Sequence, residues 1–453
     1  MKNNSDEVIM DEKNSNFFPK IIKPSTILDD SKKNNIITEP TEFKNTIPKQ
    51  MFNNRLSFKI SKIKIISIII YFIIIILIEF LYRDYLFNKS IKLQESIHLN
   101  PKYFFILKMS KIISLFGAEF AAVFFTMLIF LFMPLNYSFL ILQCIIYSAY
   151  FTNTLKMIYQ SDRPNWKSKY LTYSCDNGFG NPSGHAFTSV NLYLCLVHIF
   201  LKYFKIRGIL RILIFILGIL ISLLIILSRV ILAAHSINQI LYGTCLGIGV
   251  YFILIHIIGY HNYSSIEFYQ HIKKKRVKKI YYIINIFLLI LTVFIYLFTK
   301  DKDTSEIEKN IFNGKRCPLK PEYKKFKNDG LFQALSITAL LGAQLGIDML
   351  FILLKSNNYM INYSLIEWNK YKKFKFGFLR FVVILISSFG IVFYFTFPDE
   401  INLFFIFVFK SGLAFFLTMA GINGLGIFLC IKLKIANKDI YKMDALHEIT
   451  AEN

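Results

Sequence analysis

The sequence predicts an all-α, polytopic membrane protein of about ten transmembrane helices. Three observations lead there. Apolar blocks long enough to cross a bilayer recur along most of the 453 residues, which are 54% hydrophobic. The blocks are unbroken rather than alternating. Of the two structures that satisfy their backbone in lipid, helix and closed barrel, an unbroken run suits the helix. Basic residues concentrate in the short segments between blocks, as the positive-inside rule expects. The same dispersion excludes nucleic acid as a partner despite a net charge of +24, because the charge forms no single cluster.

Taken in order, residues 1–63 are polar, mixed in charge and poor in aromatics, and read as a disordered tail. The first block is 65–82, followed by a loop over 83–111 and by blocks 112–135 and 137–158. The last of these runs into "KMIYQSDRP", Lys156 to Pro164. Lys156 and Arg163 are seven residues apart, which puts both on one helix face, and Pro164 is expected to end that helix near Arg163. The loop 159–185 closes on "GFGNPSGHAF" as block 186–204 begins. Asn181 suits an N-cap and Pro182 the first helical position. The amides of Ser183 and Gly184 would then point out of the helix N-terminus, where dipole and orphan N–H groups favour an anion. Gly184 lets that anion come close, and His185 follows on the first turn.

Block 209–227 leads into "SRVILAAHSINQ", Ser228 to Gln239, and then block 237–259. Gln239 lies four residues after His235, so its amide can reach the ring and hold one tautomer. The remaining blocks are 280–299, 331–354, 379–398 and 402–431. The basic loops Lys202–Arg211, Lys273–Lys279 and Lys370–Arg380 fall on the side of both termini, which is therefore cytosolic. Loops 83–111, 159–185, 228–236 and 300–330 face the other side.

Each polar feature has a plain structural explanation when taken alone: a snorkelling Lys or Arg, a capped helix, an interfacial His. Their convergence on one membrane face points to chemistry instead. Lys156, Arg163 and Arg229 can neutralise a phosphoryl group, with the Ser183 and Gly184 amides completing the cradle. One neutral imidazole can attack phosphorus, and the other can protonate the leaving oxygen and then activate water. The cations take the part a metal would play, so no metal and no cofactor is expected. His198 and His256 lack such company and read as structural.

The set K-x6-R-P, P-S-G-H and S-R-x5-H is present with its spacing intact and resembles that of the type 2 phosphatidic acid phosphatase superfamily. Within it the chain looks like the glucose-6-phosphatase catalytic subunit family, through "CDNGFGNPSGHA", "SRVILAAH", the distal "EKNIFNGKRCPLKPEY" and "FVFKSGLAFF". The resemblance covers roughly 103–433. It implies a type 2 phosphatidic acid phosphatase-like helical core, His235 as nucleophile forming a phosphohistidine, and His185 as general acid and base. It also implies Lys156, Arg163 and Arg229 as phosphate ligands, and an endoplasmic-reticulum membrane with a lumenal active site. Gln239 stands where many superfamily members have Asp; it can orient His235 but cannot share its charge. The implied reaction is hydrolysis of a sugar phosphate, glucose 6-phosphate above all. The lipid bilayer is the surrounding medium, and a glucose-6-phosphate transporter is the candidate protein partner.

The resulting organisation is a cytosolic tail over 1–63, an added first helix and lumenal loop over 64–102, a catalytic core over 103–259, C-terminal helices over 260–433 and a cytosolic tail over 434–453. Glu119 and Lys410 lie inside apolar spans at similar depth, so they are expected to pair or to line a sugar pocket with Asn153. Cys144, Cys195, Cys245 and Cys430 fall within apolar runs and read as packing residues. Cys175 and Cys317 alone face the lumen, an oxidising compartment, and are expected to form a disulfide. Two rivals stand beside this reading. A lipid phosphate or dolichyl-diphosphate phosphatase of the same superfamily shares the motifs but usually has fewer spans. A non-catalytic, transporter-like membrane protein would need a broken motif set, and this set is whole. A vanadium-dependent haloperoxidase uses a similar anion cradle, but the many spans argue against it.

Overall fold

The computed structural model describes residues 62–117, 124–126, 128–129, 133, 135–171, 174, 178–263, 265–300, 326–355, 359–360, 378–379, 381–383, 385–388, 390, 412–433 and 441–442. Regular structure among them is helical, apart from a two-residue antiparallel pairing of Tyr359–Met360 with Tyr441–Lys442. Seven described helices are long and apolar enough to cross a membrane: Ile63–Leu99, Asn136–Lys167, Gly184–Tyr203, Gly208–Ile231, Ile237–Ile258, Lys275–Phe298 and Gly330–Leu350. They match seven of the expected blocks. The chain is a multi-pass, all-helical membrane protein. The expected spans 112–135, 379–398 and 402–431 lie partly outside the described residues, with a shorter apolar helix, Ala414–Cys430, inside the last. The tail over 1–63 lies almost wholly outside them, as does most of 434–453.

In chain order the helices used below are α1 (Lys62–Leu99), α2 (Phe104–Leu115), α3 (Leu135–Tyr159), α4 (Pro164–Lys167), α5 (Gly184–Tyr203), α6 (Gly208–Ile231) and α7 (Ile237–Phe252). They continue with α8 (Ser265–Lys273), α9 (Lys275–Phe298), α10 (Phe326–Ala334) and α11 (Thr338–Lys355). Helix α5 packs against α3, α6 and α7, while α1 lies on α7 and α2 on α6. Helix α6 exposes Leu213, Ile216, Leu217, Leu220 and Leu224, the lipid-facing surface its composition requires.

Two clusters of buried side chains share α3. Leu140, Ile141 and Cys144 pack with Phe187 and Cys195 of α5 and Leu246 and Val250 of α7. Phe139, Leu142 and Tyr150 pack with Phe268 of α8 and Ile337, Leu340 and Ala343 around α11. Cys144, Cys195 and Cys430 are buried, and Cys245 is half-buried. The close approach of α7 to α5 depends on small residues, as between membrane helices generally. A Cβ on Gly243 would stand 2.6 Å from the Ser183 carbonyl oxygen, and one on Gly247 would stand 2.7 Å from that of Phe187.

The segment 83–111, expected as a loop, is helical as far as Leu99. Helix α1 has 38 residues, about 57 Å at a rise of about 1.5 Å per residue and nearly twice the hydrocarbon thickness of a bilayer. The sequence from Arg83 to Leu99 contains neither Gly nor Pro, so nothing stops the helix at the membrane surface. It ends where Asn100 caps a following 3₁₀ turn, its Oδ1 accepting from the Lys102 amide at 3.1 Å.

Candidate functional site

Arg163 and His235 form the centre of the site. Helix α3 ends at Tyr159 rather than near Arg163, because Gln160 adopts a left-handed φ of 43°. Arg163 is the N-cap of α4, with Pro164 at its first turn. This corrects the expectation that Lys156 and Arg163 share a face of one helix: Pro164 starts a turn, as its fixed φ and missing N–H allow, instead of ending one.

The break lets the guanidinium of Arg163, only 3% exposed, reach back over the site. Its Nε donates to the Gly178 carbonyl at 2.7 Å, Nη2 to that of Phe179 at 3.3 Å, and Nη1 to that of Ala234 at 2.9 Å. Nη1 also lies 3.2 Å from Nε2 of His235.

His235 is 2% exposed. Its Nδ1 faces two oxygens that can only accept, the Gly180 carbonyl at 2.9 Å and Oε1 of Gln239 at 3.3 Å. Nδ1 therefore carries the ring proton and Nε2 presents its lone pair. Gln239 is itself fixed: Oε1 accepts from the Ser236 amide at 3.2 Å and Nε2 donates to the Asp162 carbonyl at 2.7 Å. The expected orienting contact of Gln239 is present. The carbonyl of Gly180 is nearer to Nδ1 than Gln239 is, and sequence reasoning missed it. Gly180 is small because it must be: a Cβ there would lie 2.5 Å from Nε2 of Gln239.

The N-terminus of α5 differs from expectation. Its N-cap is Ser183, whose Oγ accepts from the Ala186 amide at 3.4 Å, and Gly184 is the first helical residue. The Ser183 amide donates to the Gln239 carbonyl at 3.0 Å. It therefore ties α5 to the start of α7 and does not point at an anion. Asn181, expected as the cap, sends Nδ2 to Oε1 of Glu79 at 2.8 Å. The amides of Gly184 and His185 head the helix, with the His185 side chain half-buried.

Arg229, Lys156 and His185 stand on three other elements, α6, α3 and α5. Arg229 lies in the last turn of α6; its Nη1 donates to Ser114 Oγ at 2.7 Å, and its carbonyl accepts from the amides of Ala234 at 3.1 Å and His235 at 3.4 Å. The end of α2 that holds Ser114 also meets His185, since a Cβ on Gly117 would lie 3.2 Å from its Cδ2. Gly184 faces Thr152 of α3, with its Cβ position 3.3 Å from Cγ2. Lys156 lies one turn further along the same face of α3. Asn153 is 3% exposed, turns Nδ2 back onto the Ala149 carbonyl at 2.8 Å and leaves Oδ1 buried without a hydrogen-bond partner among the described residues. Glu119, Lys410, Cys175 and Cys317 lie outside the described residues.

Sequence reasoning also missed the part played by α1. Glu79, Ser90, Gln94 and His98 lie on one of its faces and bond to the loops that carry the histidines. The signal was available, because a carboxylate inside the apolar block 65–82 is costly unless it has partners.

No curated protein and no solved structure matches the chain. Residues 137–263, the stretch that holds Lys156, Arg163, His185, Arg229 and His235, match the model of the PAP2 superfamily, a match that supports phosphatase activity on a phosphorylated substrate.

Proposed function

We propose that this protein hydrolyses a sugar phosphate, glucose 6-phosphate above all, through a phosphohistidine on His235 at a lumenal site of the endoplasmic-reticulum membrane. The observation that carries the chemistry is the pair Arg163–His235: a neutral imidazole whose Nε2 lone pair meets a buried guanidinium at 3.2 Å. A phosphoryl group arriving there takes the Nη1 donor of Arg163 in a charge-assisted bond. Arg229, Lys156 and the amides of Gly184 and His185 complete the anion cradle.

Nε2 of His235 attacks phosphorus, and the bond from phosphorus to the sugar oxygen breaks as His185 protonates that oxygen. His185 then takes a proton from water, which attacks the phosphohistidine and releases phosphate. As Nε2 is phosphorylated the ring becomes cationic, and the Gly180 carbonyl and Gln239 Oε1 beside Nδ1 stabilise it without a carboxylate. The choice of sugar, and the location, rest on the resemblance of the loop and distal motifs to the glucose-6-phosphatase family.

The helix α1 favours a second reading, a lipid phosphate phosphatase. It packs on α7 and so belongs to the catalytic unit. The spans up to α7 then approach the number usual in lipid phosphate relatives. Phosphate release by membranes containing the protein, from glucose 6-phosphate, mannose 6-phosphate and phosphatidate, separates the readings. The proposal expects glucose 6-phosphate to give the highest kcat/KM; preference for phosphatidate selects the second reading.

A further inference from the structure

We propose that Glu79 is a positioning residue for both histidines, joining their two loops from a helix that carries none of the phosphatase motifs. The inference rests on the catalytic reading above. Glu79 lies in the apolar part of α1 and is 5% exposed. Its Oε1 accepts from Nδ2 of Asn181 at 2.8 Å and from Nδ2 of Asn238 at 3.0 Å. Asn181 stands four residues before His185, and Asn238 three after His235. One carboxyl oxygen thus holds the turn that leads to the general acid and the turn that follows the nucleophile.

The neighbouring bonds make the linkage specific. Asn238 Oδ1 accepts from Ser236 Oγ at 2.6 Å, so orienting Asn238 also orients the residue next to His235. The Ser183 amide and Gln239 carbonyl join the same two turns at 3.0 Å. Three turns further along the same face of α1, Ser90 Oγ accepts from the Ile237 amide at 2.8 Å. Gln94 Nε2 donates to the carbonyls of Val230 at 3.0 Å and His235 at 2.8 Å, and the His98 ring bonds that of Ile231 at 2.9 Å. Ser90, Gln94 and His98 thus each bond the His235 loop. Glu79 is bonded both to the turn before His185 and to the turn after His235. A single oxygen receiving two amide donors in a buried site holds them more firmly than water-exposed contacts would.

The test uses full-length protein in detergent, comparing wild type with Glu79→Leu, Glu79→Gln, Asn238→Ala and the Glu79→Leu/Asn238→Ala double variant. Two readouts are taken: kcat and KM for phosphate release, and amide hydrogen exchange over 178–185 and 234–240. Glu79→Leu is expected to lower kcat about 10- to 100-fold with KM changed less than about threefold, the signature of misplaced reacting groups. Exchange should rise in both segments together. Glu79→Gln, which keeps an oxygen in place, should recover much of the loss, and the double variant should be no slower than Glu79→Leu. Wild-type kcat in Glu79→Leu overturns the proposal, as does exchange that rises in one segment only. Equal failure of the Leu and Gln variants to yield folded protein also overturns it, since the residue would then be structural. A wild type without phosphatase activity refutes the catalytic reading, while the exchange measurement still decides whether Glu79 joins the loops.

Discussion

Nε2 of His235 lies 3.2 Å from Nη1 of Arg163, and the same guanidinium reaches the carbonyls of Gly178, Phe179 and Ala234. Arg163 therefore has two tasks. It meets Nε2 of His235, the proposed nucleophile, and it ties the turn before His185 to the turn before His235.

Arg163→Lys is expected to fail at both. An ammonium is a point charge that cannot span three carbonyls and an imidazole. Each buried carbonyl left without a donor costs about 1–3 kcal/mol. Activity should fall at least about 100-fold and the unfolding midpoint should drop. Retention of both in Arg163→Lys would show that charge alone matters there.

Gly180→Ala tests the support behind His235. The added methyl would lie 2.8 Å from the Asp162 carbonyl oxygen as well as against Gln239, so the carbonyl that holds Nδ1 must move. We expect kcat to fall about tenfold or more at nearly unchanged KM. Gly412→Ala, whose methyl among the described residues meets only Thr338 Cγ2 at 3.6 Å, serves as the control. A kcat for Gly180→Ala equal to that control would remove the Gly180 carbonyl from the account.

The cations and histidines of the proposed site are picked out by the sequence because each sits in a short motif near a helix end. The bonds that arrange them are not, because they are long-range. Asn181 and Ser183 are both good caps, and local propensity cannot choose between them. The choice is made by Glu79, 102 residues away, which takes the Asn181 amide. The end of α3 is missed for a related reason. Pro164 signals a break, but the chain has already turned at Gln160, whose Nε2 bonds the carbonyls of Met157 at 3.2 Å and Lys300 at 2.7 Å. Glu79 is visible as one carboxylate in a run of Ile, but its partners, 102 and 159 residues away, are not. The apolar spans are legible for the opposite reason: burial in lipid is a demand on composition, which the sequence states directly.

Glycan mapping tests the orientation. Asn88, Asn136, Asn262 and Asn362 head N-x-S/T sequons. Asn136 is 1% exposed and donates to the carbonyls of Tyr260 and Tyr263, so the fold excludes it on either side. Asn362 lies outside the described residues. Asn88 is exposed on α1, and Asn262 is exposed beside Lys202, whose Nζ it accepts at 2.8 Å. With a lumenal active site, Asn262 carries no glycan and Asn88 alone of these two is available. Glycan on Asn262 would put the Lys273–Lys279 loop in the lumen and move the histidines to the cytosolic face.

Acid should weaken the other end of the molecule. His261, between α7 and α8, is 5% exposed, and its ring meets that of His198 at 4.5 Å. Burial above all, with the charges of His198 and Lys202, pushes its pKa down from 6.5 to about 3. The folded state keeps this ring neutral, whereas the unfolded chain takes up a proton near the ordinary histidine value. Its stabilising contribution is thus complete above about pH 6.5 and declines as pH falls from there toward about 3. The unfolding midpoint in detergent should drop between about pH 7.5 and about pH 5.5, and drop less in His261→Gln. Identical drops in the two proteins would count against this assignment.

The central claim is that His235 carries the phosphoryl group and His185 moves the protons. Trapping of labelled phosphate on the protein tests it most directly. Membranes with wild-type protein, His235→Ala or His185→Ala are mixed briefly with labelled glucose 6-phosphate, or with a labelled phosphate ester of a better leaving group, and quenched. The account predicts acid-labile, base-stable label on wild type, none on His235→Ala, and on His185→Ala label only from the better leaving group, which needs no proton to depart. Label retained on His235→Ala, or turnover preserved in either variant, would contradict it.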